Sequence, residues 1–92
     1  MEKEIIWASV AQNDLWQIAE YLKAEWPEKV LTQFQKALVL KTTLLKKQPL
    51  LGFKSHKYSR FRKTLVTRHY MLIYSVSKEH LIIHRIKHTR MG

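Results

Sequence analysis

Cysteine is absent from the 92 residues, which excludes disulfides and thiolate metal centres and fits a reducing compartment. Glycine and proline number only two each, leaving no room for long flexible linkers or disordered tracts. No apolar run reaches the roughly 18 residues of a membrane span, and Met1 leads directly into charged residues instead of a signal-peptide core. These absences predict one regular domain over 1–92, located in the cytoplasm, with no membrane partner. The sequence shows no internal repeat and no low-complexity segment.

Acidic residues are the other scarcity. Seven Asp and Glu stand against 17 Lys and Arg, for a formal net charge of +10. The excess is uneven: from Phe53 onward the only acid is Glu79. A field of this sign attracts anionic partners, whether nucleic acid or an acidic protein segment, and repels a second copy of the chain. The plainer reading is a solvated basic face, although ordinary surfaces mix their signs.

The element order follows from periodicity. KEIIWA combines β-branched and aromatic residues and predicts a first strand. Ser9 is placed to cap a helix, with Gln12 completing a capping box. Ala11, Leu15, Ile18, Ala19, Leu22 and Trp26 recur at spacings of three and four, so they share an inward face. Trp26-Pro27 ends that helix, because a residue before proline is pushed out of the α region. A second helix from about Pro27 to Lys47 turns Val30, Phe34, Ala37, Leu38, Leu44 and Leu45 inward, and Pro49 stops it.

After the basic loop FKSHKYSR come three strand-like runs, FRKTLVTR, HYMLIYSV and HLIIHRIKH, the last two joined by the short SKE turn. In the final run, alternation puts Ile82, His84, Ile86 and His88 on the helix side, with Arg85 and Lys87 opposite. The predicted fold is α+β: a strand, a helical hairpin, then three antiparallel strands, with helices packed on the sheet.

The opening IIWASVAQNDLWQIAEYL, the helix end LLKKQPLLG, the strand pair RKTLVTRHYMLIYSV and the closing HRIKHTR, in that order, resemble the RelE/ParE toxin superfamily, and its ParE-like branch in particular. The resemblance spans almost the whole chain. It implies the toxin of a bacterial type II toxin–antitoxin system, neutralised by a cognate antitoxin protein. ParE-like members are associated with poisoning DNA gyrase; RelE-like members cleave mRNA on the ribosome. The resemblance thus implies a binding inhibitor of gyrase, with a ribosome-dependent mRNA endonuclease as the alternative.

RNA cleavage requires a base, an acid and cations that stabilise the phosphate in the transition state. RelE-like nucleases usually carry an arginine where this chain has Met71, and a thioether stabilises no oxyanion. The preceding strand of such nucleases tends to carry basic residues two apart, whereas here Arg62 is followed at that spacing by Thr64. The ending HRIKHTR also resembles the ParE-like one. If the chain were a nuclease, His69, His88 and Arg62 would be its catalytic candidates, since histidine exchanges protons near neutral pH. As a binder, it would use Arg62, Lys63, Arg68, Arg85, His88 and Arg90, because arginine holds carboxylate and phosphate bidentately. His84 and His88 lie four apart on a strand, roughly 13 Å, too far to share a metal; neither a metal nor a cofactor is expected. A plain nucleic-acid-binding domain would explain the charge but not the resemblance.

Overall fold

The strongest sequence periodicities become the two helices of a computed structural model that describes residues 2–90. In chain order the elements are β1 (Glu4–Trp7), α1 (Ser9–Glu25), α2 (Glu28–Lys47), β2 (Phe53–Lys54), β3 (Phe61–Leu65), β4 (Tyr70–Val76) and β5 (His80–His88). The fold is α+β as predicted. It adds one short strand, β2, and the five strands form a mixed sheet in the order β1-β5-β4-β3-β2. β1 lies parallel to β5, and the other pairs are antiparallel.

The core lies between the hairpin and one face of this sheet. Ala11 and Leu22 of α1 and Phe34, Leu38 and Leu45 of α2 meet Tyr70, Leu72, Tyr74, Leu81, Ile83 and Ile86. Leu44, expected inside, is 37% exposed, and Trp26 is 51% exposed. The stripe is therefore narrower than the apolar spacing suggested, and these two side chains lie at its margins. Nor does Ser9 cap α1. Ala8 occupies the N-cap without a side-chain bond, Ser9 is the first helical residue, and Gln12 instead donates from Nε2 to the Trp7 carbonyl at 3.1 Å.

Alternation along β5 fails at one point. Ile73 pairs with Arg85 but Tyr74 pairs with Ile83, so His84 is an extra residue at a β-bulge. A bulge shifts the side-chain phase. Leu81 and Ile83 before it, and Ile86 after it, all reach the core. Ile82 and His84, expected on the helix side, are only half-buried. His84 Nε2 meets Ser75 Oγ at 2.7 Å, and its ring packs on Phe61 at 4.9 Å between centroids. Burial and then the charge of Arg60 push the His84 pKa down, which favours the neutral ring.

β1 ends at Trp7, yet β5 continues past its partner Ile83, which would leave backbone donors unpaired at that edge. Asp14 of α1 supplies the acceptor. Its Oδ2 takes the Ile86 backbone N–H at 3.1 Å and Arg85 Nε at 2.8 Å, while Oδ1 takes Arg85 Nη2 at 3.0 Å. Burial raises the carboxyl pKa, but the Arg85 and Ile86 hydrogen bonds and the charges of Arg85 and Lys87 outweigh it, and the net direction is downward. A depressed carboxyl contributes stability above its unfolded pKa and loses it as pH falls through the folded value. Asp14→Asn is therefore expected to cost about 2 kcal/mol at neutral pH. Melting curves of the two proteins should converge on acidification below the ordinary carboxylate range; a gap independent of pH would contradict this.

Candidate functional site

A groove of about 600 Å³ opens between the turn of the hairpin and the far end of the β4–β5 pair. Tyr21, Leu22, Trp26, Val30 and Phe34 form its helical wall. Thr67, His69, Tyr70, His88 and Arg90 form the opposite wall. Proline causes the first wall: Pro27 caps α2 immediately after Trp26 closes α1, so both aromatic residues near the turn remain uncovered. Strand register causes the second. Tyr70 pairs with His88, and Thr89 N–H reaches the His69 carbonyl at 2.9 Å.

Aromatic contacts run through the floor. Phe34 meets Tyr70 edge-on at 5.2 Å, Tyr70 meets His88 at 5.4 Å, and the His69 and His88 rings lie 5.9 Å apart. Burial, then the neighbouring Tyr21, pushes the Tyr70 pKa up, so its hydroxyl stays neutral. His88 Nδ1 accepts the Arg90 backbone N–H at 3.1 Å, which leaves Nε2 to face a ligand. Among the described residues, no carboxylate lines the groove. An apolar floor with a cationic, imidazole-bearing rim suits an apolar segment that also carries negative charge.

The residues singled out in the sequence separate into three places. His69, His88 and Arg90 meet at the groove, and Arg68 stands exposed in the adjoining β3–β4 turn. Arg85 is held by Asp14, so its charge is already engaged within the fold. Arg62 and Lys63 lie on β3, where Arg62 pairs with Tyr74 and Lys63 with Phe53 and Ile73. Arg62 Nη1 donates to the Gly52 carbonyl at 2.7 Å and to the Leu50 carbonyl at 3.4 Å. Tyr74 completes this clasp by accepting the Gly52 N–H at 2.8 Å and donating to the Pro49 carbonyl at 2.9 Å. Arg62 thus sits beside Tyr74, four residues along β4 from Tyr70, a span of roughly 13 Å. Met71 pairs with Lys87 and Leu65 and lies outside the groove lining.

Three contributors were not singled out from the sequence. Tyr21 lies outside the stripe read for α1, and Trp26 read as core, although a Trp-Pro helix end was a signal that the ring would lie at a turn. Asp14 also carried a signal: an acid three residues after Ala11, on the inward side of α1, requires a partner for its charge.

The sequence matches the family model described as the ParE toxin of the type II toxin–antitoxin system, parDE, over residues 5–92. A comparison with curated proteins gives no significant match. Among solved structures, the chromosomal ParDE toxin–antitoxin system from P. aeruginosa superposes with a TM-score of 0.77 at 16% identity, over 95% of this chain and 96% of that one. The DinJ-YafQ toxin–antitoxin complex from E. coli gives 0.70 at 16% identity, over 99% and 97%. The RelBE2 toxin–antitoxin complex from Mycobacterium tuberculosis gives 0.65 at 18%, over 96% and 99%. At these identities the superpositions speak for the fold.

Proposed function

We infer, for a chain that belongs to the ParE toxin family of type II toxin–antitoxin systems, that it acts by binding its target and not by cutting RNA, and that this target is DNA gyrase. The observation that carries the reading is the separation of the three nuclease candidates. His69 and His88 meet in the groove, while Arg62 is tied to loop carbonyls at the other end of β4. General acid–base cleavage needs its groups within hydrogen-bond reach of one phosphate, allowing for one bridging water. Met71 supplies no cation in the position where a RelE-type nuclease would carry one. The gyrase assignment itself rests on the ParE membership.

The alternative, a ribosome-dependent mRNA endonuclease, draws support from the His69–His88 contact, since two imidazoles can serve as acid and base. Two assays on the purified chain separate the readings. A gyrase inhibitor suppresses supercoiling of relaxed plasmid and leaves ribosome-bound mRNA intact; a nuclease does the reverse.

The antitoxin is the second partner of this reading. An acidic segment with apolar anchors fits the groove: anchors enter between Trp26 and Tyr70, and carboxylates meet Arg90 and Arg68. Long-range charge governs encounter, and buried contacts govern lifetime. Combined Arg68→Glu and Arg90→Glu is expected to slow antitoxin association by about tenfold at low salt. The difference should shrink as ionic strength rises. Stopped-flow association rates at several salt concentrations measure this, and salt-independent rates in both proteins would contradict it.

A further inference from the structure

The groove leaves the other end of α2 unexplained. That helix has 20 residues, so its ends stand roughly 30 Å apart, and beyond Lys47 the chain exposes a cluster of large apolar side chains. Leu50 is 64% exposed, Leu51 43% and Phe53 67%. In a mobile loop such exposure would mean little.

This loop is not free to move. Tyr74, fully buried, holds Pro49 and Gly52 from below, and Arg62 holds the carbonyls of Gly52 and Leu50 from the side. Gly52 is itself buried, and a Cβ there would stand 2.6 Å from the Lys63 carbonyl oxygen and 2.6 Å from the Tyr74 hydroxyl. One buried hydrogen bond, from the Gly52 N–H to the Tyr74 hydroxyl, and part-buried ones from Arg62 and Tyr74 fix a loop whose neighbouring side chains face solvent. Rigid display of apolar anchors removes ordering cost from association.

Charge indicates what meets them. Between Glu28 and Glu79 the sequence contains no Asp or Glu. The strands flanking the loop carry Lys54, Arg62 and Lys63, and Lys63 pairs directly with Phe53. The matching surface is apolar at its centre and acidic at its rim. Shape separates this site from the groove. A concave groove accepts a chain segment, whereas a rigid projecting loop needs a pocket already formed in a folded protein.

We propose that Leu50, Leu51 and Phe53, held outward by the Tyr74–Arg62 clasp, form a plug that enters an acidic-rimmed apolar pocket of the toxin's folded protein target, leaving the groove to the antitoxin. The proposal rests on the reading that the target is a protein and not ribosome-bound RNA. Its test uses Leu50→Ser combined with Phe53→Ser, with growth arrest on induction, affinity for purified DNA gyrase, affinity for the antitoxin encoded beside the toxin, and thermal unfolding as readouts.

Melting temperature is expected to stay at the wild-type value and antitoxin affinity within about twofold of it, while growth arrest and gyrase affinity fall by at least about tenfold. Lys54→Glu, at an exposed position, is expected to reproduce the loss without altering apolar packing, and it decides the matter should the double variant unfold early. Full growth arrest in both variants overturns the proposal. So does a fall in antitoxin affinity as large as the fall in toxicity, which would assign the loop to the antitoxin. If wild-type chain fails to bind gyrase, the target named above is wrong, and growth arrest set against antitoxin affinity still decides the role of the loop.

Discussion

Phe34→Ala is expected to lower the free energy of unfolding by about 3 to 5 kcal/mol. Phe34 is 3% exposed and sits in the cluster that joins α2 to the sheet. Its ring supports Tyr70 edge-on at 5.2 Å, and Tyr70 in turn supports His88. Truncation removes apolar burial and opens a cavity beneath the groove. Small domains hold about 5 to 15 kcal/mol in total, so this variant stands near the limit of folding. A denaturant titration reads the effect as a lower midpoint at unchanged slope. A midpoint equal to wild type would place Phe34 outside the core and shift the phase assigned to α2. Leu38→Ala, from the same helix face, should behave alike.

Gly52→Ala is expected to cost about 3 kcal/mol, although it adds a single methyl group. One atom in its way is the Lys63 carbonyl oxygen of β3, which cannot move without the strand, and the other two, the hydroxyl oxygen and a ring carbon, belong to the fully buried Tyr74. The loop must lift, and the Gly52–Tyr74 and Gly52–Arg62 hydrogen bonds weaken with it. Burial pushes the Tyr74 pKa up, opposed by the Gly52 N–H and the charge of Arg62. The hydroxyl therefore stays protonated and keeps donating to Pro49. Thermal unfolding measures the cost, and a melting temperature unchanged from wild type would show the clasp to be slack. Tyr74→Phe tests the same contact more gently: it removes both hydroxyl bonds and leaves the ring in place.

How far the fold was legible depended on the range of the interaction. Phe34, Leu38 and Leu45 reached the core as their spacing predicted, because helical periodicity is local and α2 repeats it over five turns. Trp26, at the end of α1, and Leu44 of α2 satisfied such spacings and stayed half outside; their fate depended on the surrounding sheet, which no window of a single helix reports. β5 was assigned correctly as a strand, but one extra residue at His84 reversed the faces of Ile82 and His84. A bulge of that kind is visible only once the partner strand is aligned. The parallel pairing of β1 with β5, and the two-residue β2, likewise depend on partners more than 70 and about ten residues away.

The candidate site was legible in its chemistry and not in its grouping. His69, His88 and Arg90 converge because the Tyr70–His88 register brings the two strand ends together. Arg62 and Arg85 looked equivalent to them as free cations in the sequence. The structure engages Arg85 with Asp14, 71 residues earlier, and Arg62 with the loop that follows α2. Both arginines are committed to holding the fold, so charge reversal at either would perturb stability together with binding. Arg68 and Arg90 are the better probes of electrostatics alone.

Binding without catalysis is tested most sharply at His88. His88→Ala removes the imidazole that lies between His69 and Tyr70 while leaving the Phe34–Tyr70 floor intact. Growth arrest on induction, with thermal unfolding as the control for folding, should change by no more than about threefold, since the groove that His88 lines is assigned to the antitoxin and single contacts in an interface mostly contribute little. Loss of a general acid or base lowers rate by about 10² to 10⁴-fold in an intact fold. Abolished growth arrest in a His88→Ala protein that unfolds at the wild-type temperature, together with loss of ribosome-bound mRNA cleavage, would make the chain a nuclease.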